Sequence, residues 1–564
     1  MSKWSRRLTG LLLFVSIVGR LSAVDDTDAE GWFREVAKER GIRFIHQDAR
    51  SGQKYYIETA ASGGGWLDYD GDGDLDLYLL NGAVTPGSSI SKAPRNTLYE
   101  NRAGSFIDVT DRAGVGDENF SMGLCVGDYD SDGNLDFLVT NYGKDRLYKN
   151  LGNGTFEDVA AEAGVDDSNW GTSCSFTDID VDGDLDLYVA RYVDFSYKKN
   201  PYCGDLAREI RTYCRPDMFA GVTDSLFVNQ GNGVFREEGK IRGIAQDPSS
   251  EKGFGVIFSD FDKDGDPDLY VANDGTPNRF YVNDGRGFFK DFSLLSGTAL
   301  SDEGEAESGM GVDVGDFDAD GFNDLIVTNY SFETNTLYKN LGDLFFDDRT
   351  ISAGLAELSH RPVGWGIQFF DYDNDGDLDL AVANGHVMDN IDLFESEATY
   401  PQSNQLLEND GKGYFRDVSV LAGFPWEVRK VSRGLAVGDW NNDGRLDLLI
   451  TNTNDVVDVL ENQLTNGNHW LGVVLRGPRS NHFAIGARVD LRAGNIFTTR
   501  EIRSGGSFLA QSDLRLHFGL GLFQGTVVVT IHWPDGKVQT EKTDQLNKYM
   551  EITYRPREVL DRRK

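Results

Sequence analysis

A nine-residue acidic string, D-x-D-x-D-G-x-x-D, recurs seven times along the chain. DYDGDGDLD begins at Asp68. Its relatives begin at Asp128 (DYDSDGNLD), Asp178 (DIDVDGDLD), Asp260 (DFDKDGDPD), Asp316 (DFDADGFND), Asp371 (DYDNDGDLD) and Asp439 (DWNNDGRLD). Successive starts are 60, 50, 82, 56, 55 and 68 residues apart. Self-similarity at this period belongs to architectures in which each unit buries its apolar surface only against neighbouring units.

Each unit carries more than the string. A short apolar stretch precedes it, entered by Gly63, Gly123, Gly255, Gly311, Gly366 and Gly434, with Ser173 in the third copy. An apolar run such as LDLYLL or LDLYVA follows, then a segment like NTLYEN or DRLYKN, then one like GTFEDVAAEAGV. Four short β-prone segments separated by turn residues make one four-stranded sheet. Apolar runs without alternation suit strands covered on both faces. Such sheets repeated radially give a propeller.

The fourth segment also occurs seven times, but its first copy, GWFREVAKERGI, stands before the first acidic string and none follows the seventh. Residues Gly31 to Ile42 are therefore expected to supply the outer strand of the last blade. The predicted fold is all-β: a seven-bladed propeller over residues 31–462 and a C-terminal β-sandwich-like domain over 468–555, with a charged tail at 556–564.

Alternating carboxylates that converge around a tight glycine bend offer the hard oxygen ligands that Ca²⁺ takes six to eight of. The loops resemble an EF-hand over five positions, but strand patterns flank them and no Glu stands at position twelve. The expected ligands at position one are Asp68, Asp128, Asp178, Asp260, Asp316, Asp371 and Asp439. At position three they are Asp70, Asp130, Asp180, Asp262, Asp318, Asp373 and Asn441. Position five gives Asp72, Asp132, Asp182, Asp264, Asp320, Asp375 and Asp443, and position nine Asp76, Asp136, Asp186, Asp268, Asp324, Asp379 and Asp447. Up to seven sites follow, the seventh weakest because of Asn441. Like charges packed together without a counter-ion are unfavourable.

The first 23 residues read as a secretory leader. Lys3, Arg6 and Arg7 precede an apolar run from Leu8 to Val18, and Leu21-Ser22-Ala23 ends it. That run has 11 residues, short of the roughly 20 needed to span a bilayer. A secreted, periplasmic or cell-surface location follows, with no membrane span. The 92 acidic against 55 basic residues argue against nucleic-acid binding. From Leu464 onward the balance reverses, to 15 basic against 9 acidic.

Four cysteines without CxxC spacing speak against zinc, iron–sulfur or covalent haem sites. Cys203 and Cys214 are expected to form a disulfide within an insertion of the third unit. Cys125 and Cys174 stand three and four residues before their loops. These opposite parities predict opposite faces and two buried free thiols.

The repeats resemble the FG-GAP/VCBS repeats of integrin α-subunit propellers, whose DxDxDGxxD loops bind Ca²⁺. NHWLGVVLRG, AIGARVDLRAG, SGGSFLAQSDLRLHFGLG and VVVTIHWPDGKV resemble the ASPIC/UnbV domain. The combination is similar to the cartilage acidic protein family, which implies an extracellular calcium-binding protein and no settled reaction.

The reading that follows is a binding or adhesion module for an extracellular protein or glycan. Its ligand face is expected opposite the calcium loops, where the insertions Arg191–Thr223 and Gly385–Ser403 emerge. Trp170, Lys252, Glu307, His360, Arg361 and Arg433 precede innermost strands and are expected to ring a central opening there. The alternative is a calcium-dependent carbohydrate-active enzyme resembling a polysaccharide lyase, drawing a base and a cation from His360, Arg361, Lys252, Arg429 and Arg433. No catalytic residue is assigned.

Overall fold

The computed structural model describes residues 31–556 except 91 and 245–250. The leader at 1–23 and the tail from 557 onward lie outside the described residues. Among these residues the chain is all-β. Each acidic string forms the turn between the first two strands of a four-stranded antiparallel arrangement, and this pattern occurs seven times. The ninth-position Asp opens the second strand in every unit.

In the second unit the strands run Phe120–Gly127, Asp136–Tyr142, Arg146–Asn150 and Phe156–Asp158, in that spatial order. The seventh sheet takes three strands from 432–462 and its outer strand from Phe33–Glu35, with Phe33 opposite Asn462 and Glu35 opposite Leu460. The expected pairing of the N-terminal segment is therefore present.

Innermost strands lie against one another in chain order, and that of the seventh sheet lies against that of the first. Glycine at the entry to these strands permits the approach. A Cβ on Gly63 would stand 2.0 Å from the Met122 carbonyl oxygen, and one on Gly311 2.0 Å from that of Trp365. Apolar layers fill the space between sheets, as where Tyr78 of the first meets Phe137 of the second at 4.8 Å. Trp66 and Trp440 flank Phe106 between the seventh and the first.

One polar contact repeats at every sheet boundary. The Asn closing the third strand donates from Nδ2 to the carbonyl at the second loop position of the preceding unit. Asn150 reaches Tyr69 (2.7 Å), Asn229 Tyr129 (2.8 Å), Asn283 Ile179 (2.8 Å) and Asn340 Phe261 (2.9 Å). Asn409 reaches Phe317 (2.9 Å), Asn462 Tyr372 (2.6 Å) and Asn101 Trp440 (2.9 Å).

Beyond the repeats lie two more sheets. One sets His469–Arg476 between Leu516–Gly521 and Tyr549–Thr553; the other has the order Ile496–Glu501, Arg488–Ala493, Val527–His532, Val538–Thr543. Alternate residues such as Leu471, Val473, Val489, Leu491, Val529 and Ile531 share one buried cluster.

The cysteine expectation is corrected in part. Cys203–Cys214 is a disulfide with a Cα–Cα distance of 5.2 Å, but Cys125 and Cys174 are also joined, at 5.7 Å. The parity was right and the conclusion inverted. When two sheets stack, the front of one meets the back of the next, so opposite parities in adjacent units are what brings two side chains together. Both cysteines lie in the layer between the second and third sheets.

Candidate metal centres and the opposite face

The loops owe their shape to their own first residue. The Asp128 carboxylate accepts hydrogen bonds from the backbone N–H groups of Asp132 and Gly133, both at 3.0 Å, and Asp178, Asp316, Asp371 and Asp439 repeat this. Positions four and six have positive φ in all seven copies; at four it is 58–75° and six of the seven residues are not glycine, whereas at six it is 80–106°, where a side chain is more strained, and every copy has glycine. The ninth Asp is buried in every copy, and one of its oxygens accepts from the backbone N–H of the same Asn that bridges the sheets.

This folding gathers carboxylates. Oxygens of Asp68, Asp70 and Asp76 lie within 4.8 Å of one another, as do those of Asp128, Asp130 and Asp136, of Asp178, Asp180 and Asp186, of Asp260, Asp262 and Asp264, and of Asp316, Asp318 and Asp320. Burial, reinforced by neighbouring carboxylates, pushes Asp76 up to about 9, Asp128 and Asp178 to about 7 and Asp68 to about 6. Asp268 and Asp447 each keep one buried oxygen without a hydrogen-bond partner. An all-oxygen donor set that resists ionisation and leaves buried oxygens orphaned fits a hard divalent cation.

The seventh loop differs. Its Asp439 carboxylate accepts from the Tyr549 hydroxyl at 2.8 Å, the Asp439 carbonyl accepts from Arg515, and Asp443 pairs with Arg445.

Tyr549 opens a strand of the C-terminal sheets and Arg515 immediately precedes another, and these sheets cover the loop side of the repeats. Arg488 pairs with Asp260 at 3.2 Å, Ser131 donates to the Ser480 carbonyl, and Asn468 donates to that of Asp373. Trp470 packs so close to Gly444 that a Cβ there would fall 1.7 Å from its ring.

A segment of the same region enters the centre of the repeats. Ser507 exchanges backbone hydrogen bonds with Val312, and Ala510–Gln511 pairs in parallel with Gly64–Gly65. The Gln511 side-chain oxygen accepts from the Val126 N–H, the Ser173 hydroxyl from the Leu509 N–H, and the Ser507 hydroxyl from the Ile367 N–H. Phe508, fully buried, lies 5.4 Å from Phe254. From the other side Tyr56 stacks on Phe219 at 4.7 Å and on Tyr192 at 5.7 Å. The centre is thus filled from both ends.

The residues expected around an opening are placed accordingly. Trp170 is buried among Tyr56, Tyr142 and Tyr192. Arg433 is buried and donates to the carbonyls of Thr59, Gly385, Ser432 and His386, and burial holds its guanidinium down to about 9. Lys252 is buried and donates to the Pro216 carbonyl. Half-buried Glu307 accepts from Asn329 and Thr336, and burial raises it to about 7. Only His360 and Arg361 are exposed, Arg361 paired with Glu397. Their partners differ, so the six do not form one site.

The two insertions do come together. Asn390 donates to the Arg211 carbonyl, and Arg208 donates to that of Leu393 while its guanidinium stands 6.0 Å from the Phe394 ring. Lys54 bonds Asp389 at 2.5 Å, adding the segment before the first sheet. Tyr202, Leu206, Leu393 and Phe394 are exposed there. Sequence reasoning missed the central segment, whose only signal was the paired glycine of Ser504-Gly505-Gly506 ahead of an apolar run.

The model described as FG-GAP-like repeat matches residues 68–139, 128–189, 214–271, 260–327 and 316–382. The ASPIC and UnbV model matches residues 477–559. Cartilage acidic protein 1 of Mus musculus is 28% identical over 296 residues, 51% of this chain and 43% of that protein. Its Homo sapiens counterpart is 28% identical over 297 residues, 51% of this chain and 42% of that protein. The match thus spans less than half the length of these relatives. Among solved structures, an Agrocybe aegerita lectin described for specific recognition of non-reducing terminal N-acetylglucosamine aligns over 70% of this chain and 87% of its own, at 15% identity and a TM-score of 0.39.

Proposed function

Because this chain belongs to the FG-GAP-like repeat family and carries an ASPIC and UnbV domain, we propose that it is an exported, calcium-binding, seven-bladed β-propeller that binds an extracellular protein or glycan on the face opposite its acidic loops. Residues 31–462 form the propeller, closed by Phe33–Glu35, and 468–555 a β domain seated on its loop face. Calcium is held by the carboxylates of the loops, and supplies the positive charge they need. The chain's own residues shape each loop through the first-position Asp and anchor it through the ninth.

The observation that carries the reading is the division of the two faces. The loop face is covered by the C-terminal β domain, whereas the other presents two joined insertions with exposed Leu206, Leu393 and Phe394. Exposed apolar side chains clustered on long loops mark a recognition surface. Export is supported by the leader-like N-terminus and by two disulfides. No helix among the described residues is long and apolar enough to cross a membrane.

The test is a glycan and protein array probed with and without chelator, comparing the parent with a Leu206→Asp, Phe394→Asp double variant. Binding by the parent and its loss in the variant, at an unchanged melting temperature, is the expected result. Binding that survives the variant but disappears on altering the outer surface of the C-terminal domain overturns the assignment. Release of unsaturated, ultraviolet-absorbing product from uronate polymers would move the reading to an enzyme.

A further inference from the structure

In two of the seven loops a third-strand lysine bridges two of the loop carboxylates; elsewhere a cation pairs with a single one, as Arg242 does with Asp180 (3.5 Å), Arg488 with Asp260 (3.2 Å) and Arg445 with Asp443. Lys149, on the third strand of the second sheet, sends Nζ to Asp130 and stands 3.5 Å from Asp132. Lys339, on the third strand of the fifth sheet, sends Nζ to Asp318 and stands 2.9 Å from Asp320. In each loop one ammonium joins the third- and fifth-position carboxylates.

The two lysines occupy the same place in the repeat, immediately before the Asn that bridges adjacent sheets. Lys149 opposes Glu157 on the outer strand and Lys339 opposes Asp347. The same register holds Glu100, Val228, Val282, Glu408 and Glu461 in the other units. Five units therefore place either no charge or a carboxylate where these two place an ammonium.

The ammonium does not complete its loop. Asp130 and Asp318 each retain a buried oxygen, Oδ1, with no hydrogen-bond partner. A lysine offers three donors and one charge, against the two charges and six to eight coordination positions of Ca²⁺. The two cations cannot share one small group of carboxylates, because like charges a few ångströms apart repel. Calcium entering either loop must first drive the side chain out and break its ion pairs.

Resting on the calcium reading above, we propose that Lys149 and Lys339 divide the loops into two affinity classes: the second and fifth bind calcium weakly, by exchange with a lysine that ties positions three and five together, while loops with Val or Glu at that position have no such bridge to displace. A graded response follows, the second and fifth loops filling only at higher calcium.

The test is calcium titration of the metal-stripped full chain by calorimetry, with bound ions counted by equilibrium dialysis. The parent is expected to show a weak class that includes two ions per chain assignable to these lysines. In the Lys149→Val, Lys339→Val variant, which uses the residue of the third and fourth units, those two ions should tighten at least tenfold. Lys149→Arg with Lys339→Arg should leave them weak. Val228→Lys with Val282→Lys should weaken two further ions, and carries the test alone if the first variant fails to fold. Parent and valine-variant isotherms that superimpose, or an unaltered isotherm in the Val228→Lys, Val282→Lys variant, overturn the proposal while leaving the calcium reading standing. A parent that takes up no calcium overturns the calcium reading itself.

Discussion

The Phe508 ring lies 4.8 Å from the Trp365 ring, edge to face, joining a C-terminal segment to the innermost strand of the sixth sheet. Both side chains are buried. Emptying a site of this kind typically costs about 3–5 kcal/mol. Phe508→Ala should lower the denaturant midpoint of the whole chain in one transition. If the C-terminal domain alone melts early and the repeats are unaffected, the segment is not part of their core.

Calcium removal should destabilise the chain. At about ten times the dissociation constant each occupied site adds on the order of 1.4 kcal/mol. Excess chelator is expected to lower the melting temperature steeply, and Asp264→Ala to do so partially. An identical melt with and without chelator would refute calcium binding.

Acid should weaken the insertion side of the molecule. His46 accepts from the Asn454 N–H and His386 from the Met388 N–H, both through Nδ1, which fixes neutral imidazoles. Burial, with Arg433 near both, lowers His46 to about 3 and His386 to about 4, from 6.5. A folded pKa below the unfolded one gives stability that is present above pH 6.5 and lost as pH falls through that window. His386 alone accounts for roughly 3 kcal/mol by pH 4. His386→Gln should flatten the melting-temperature profile between pH 6.5 and 4, and an unchanged slope contradicts the assignment.

Both disulfides should appear in peptide maps made without reduction. The Cys125–Cys174 link spans 49 residues across two sheets, so Cys125→Ser with Cys174→Ser should cost about 2–4 kcal/mol. Cys203→Ser with Cys214→Ser should loosen only the insertion hairpin and show as faster proteolysis near Leu206. Two alkylated thiols at Cys125 and Cys174 in the unreduced protein would restore the free-thiol reading.

Deleting Gly31–Ile42 should expose Asp458–Asn462 as an unpaired edge and cause aggregation. A deletion that melts like the parent would show that the outer strand is dispensable.

The repeated elements were readable because each is a local signal. The acidic strings, the apolar runs and the displaced first copy around Phe33 each announce themselves within a dozen residues, and their counts imply that the first copy joins the last sheet, as Phe33–Glu35 does. Relations between sheets were not readable in this way. Trp170 and Arg433 look like loop-mouth residues from their position before an innermost strand, yet both are buried because Tyr56 and the Ser504–Gln511 segment fill the space from elsewhere in the chain. The excess of basic residues after Leu464 left docking against the acidic repeats open and gave no sign that a segment would enter their centre. Lys149 and Lys339 were visible as a repeat variation, but their reach to the loops depends on strand register.

On the closed-ring reading, the Asn contact at each sheet boundary makes the molecule count its own units. Every unit donates backward to its predecessor, and Asn101 finds its acceptor only because Trp440 ends the round. Connections such as Arg191–Thr223 can lengthen at no cost to this relay. An added or missing unit cannot be absorbed so simply, since the angle between all neighbours would have to change before first and last could meet. Growth by loop and growth by unit are therefore different events for this architecture: one is gradual, whereas the other requires a new ring.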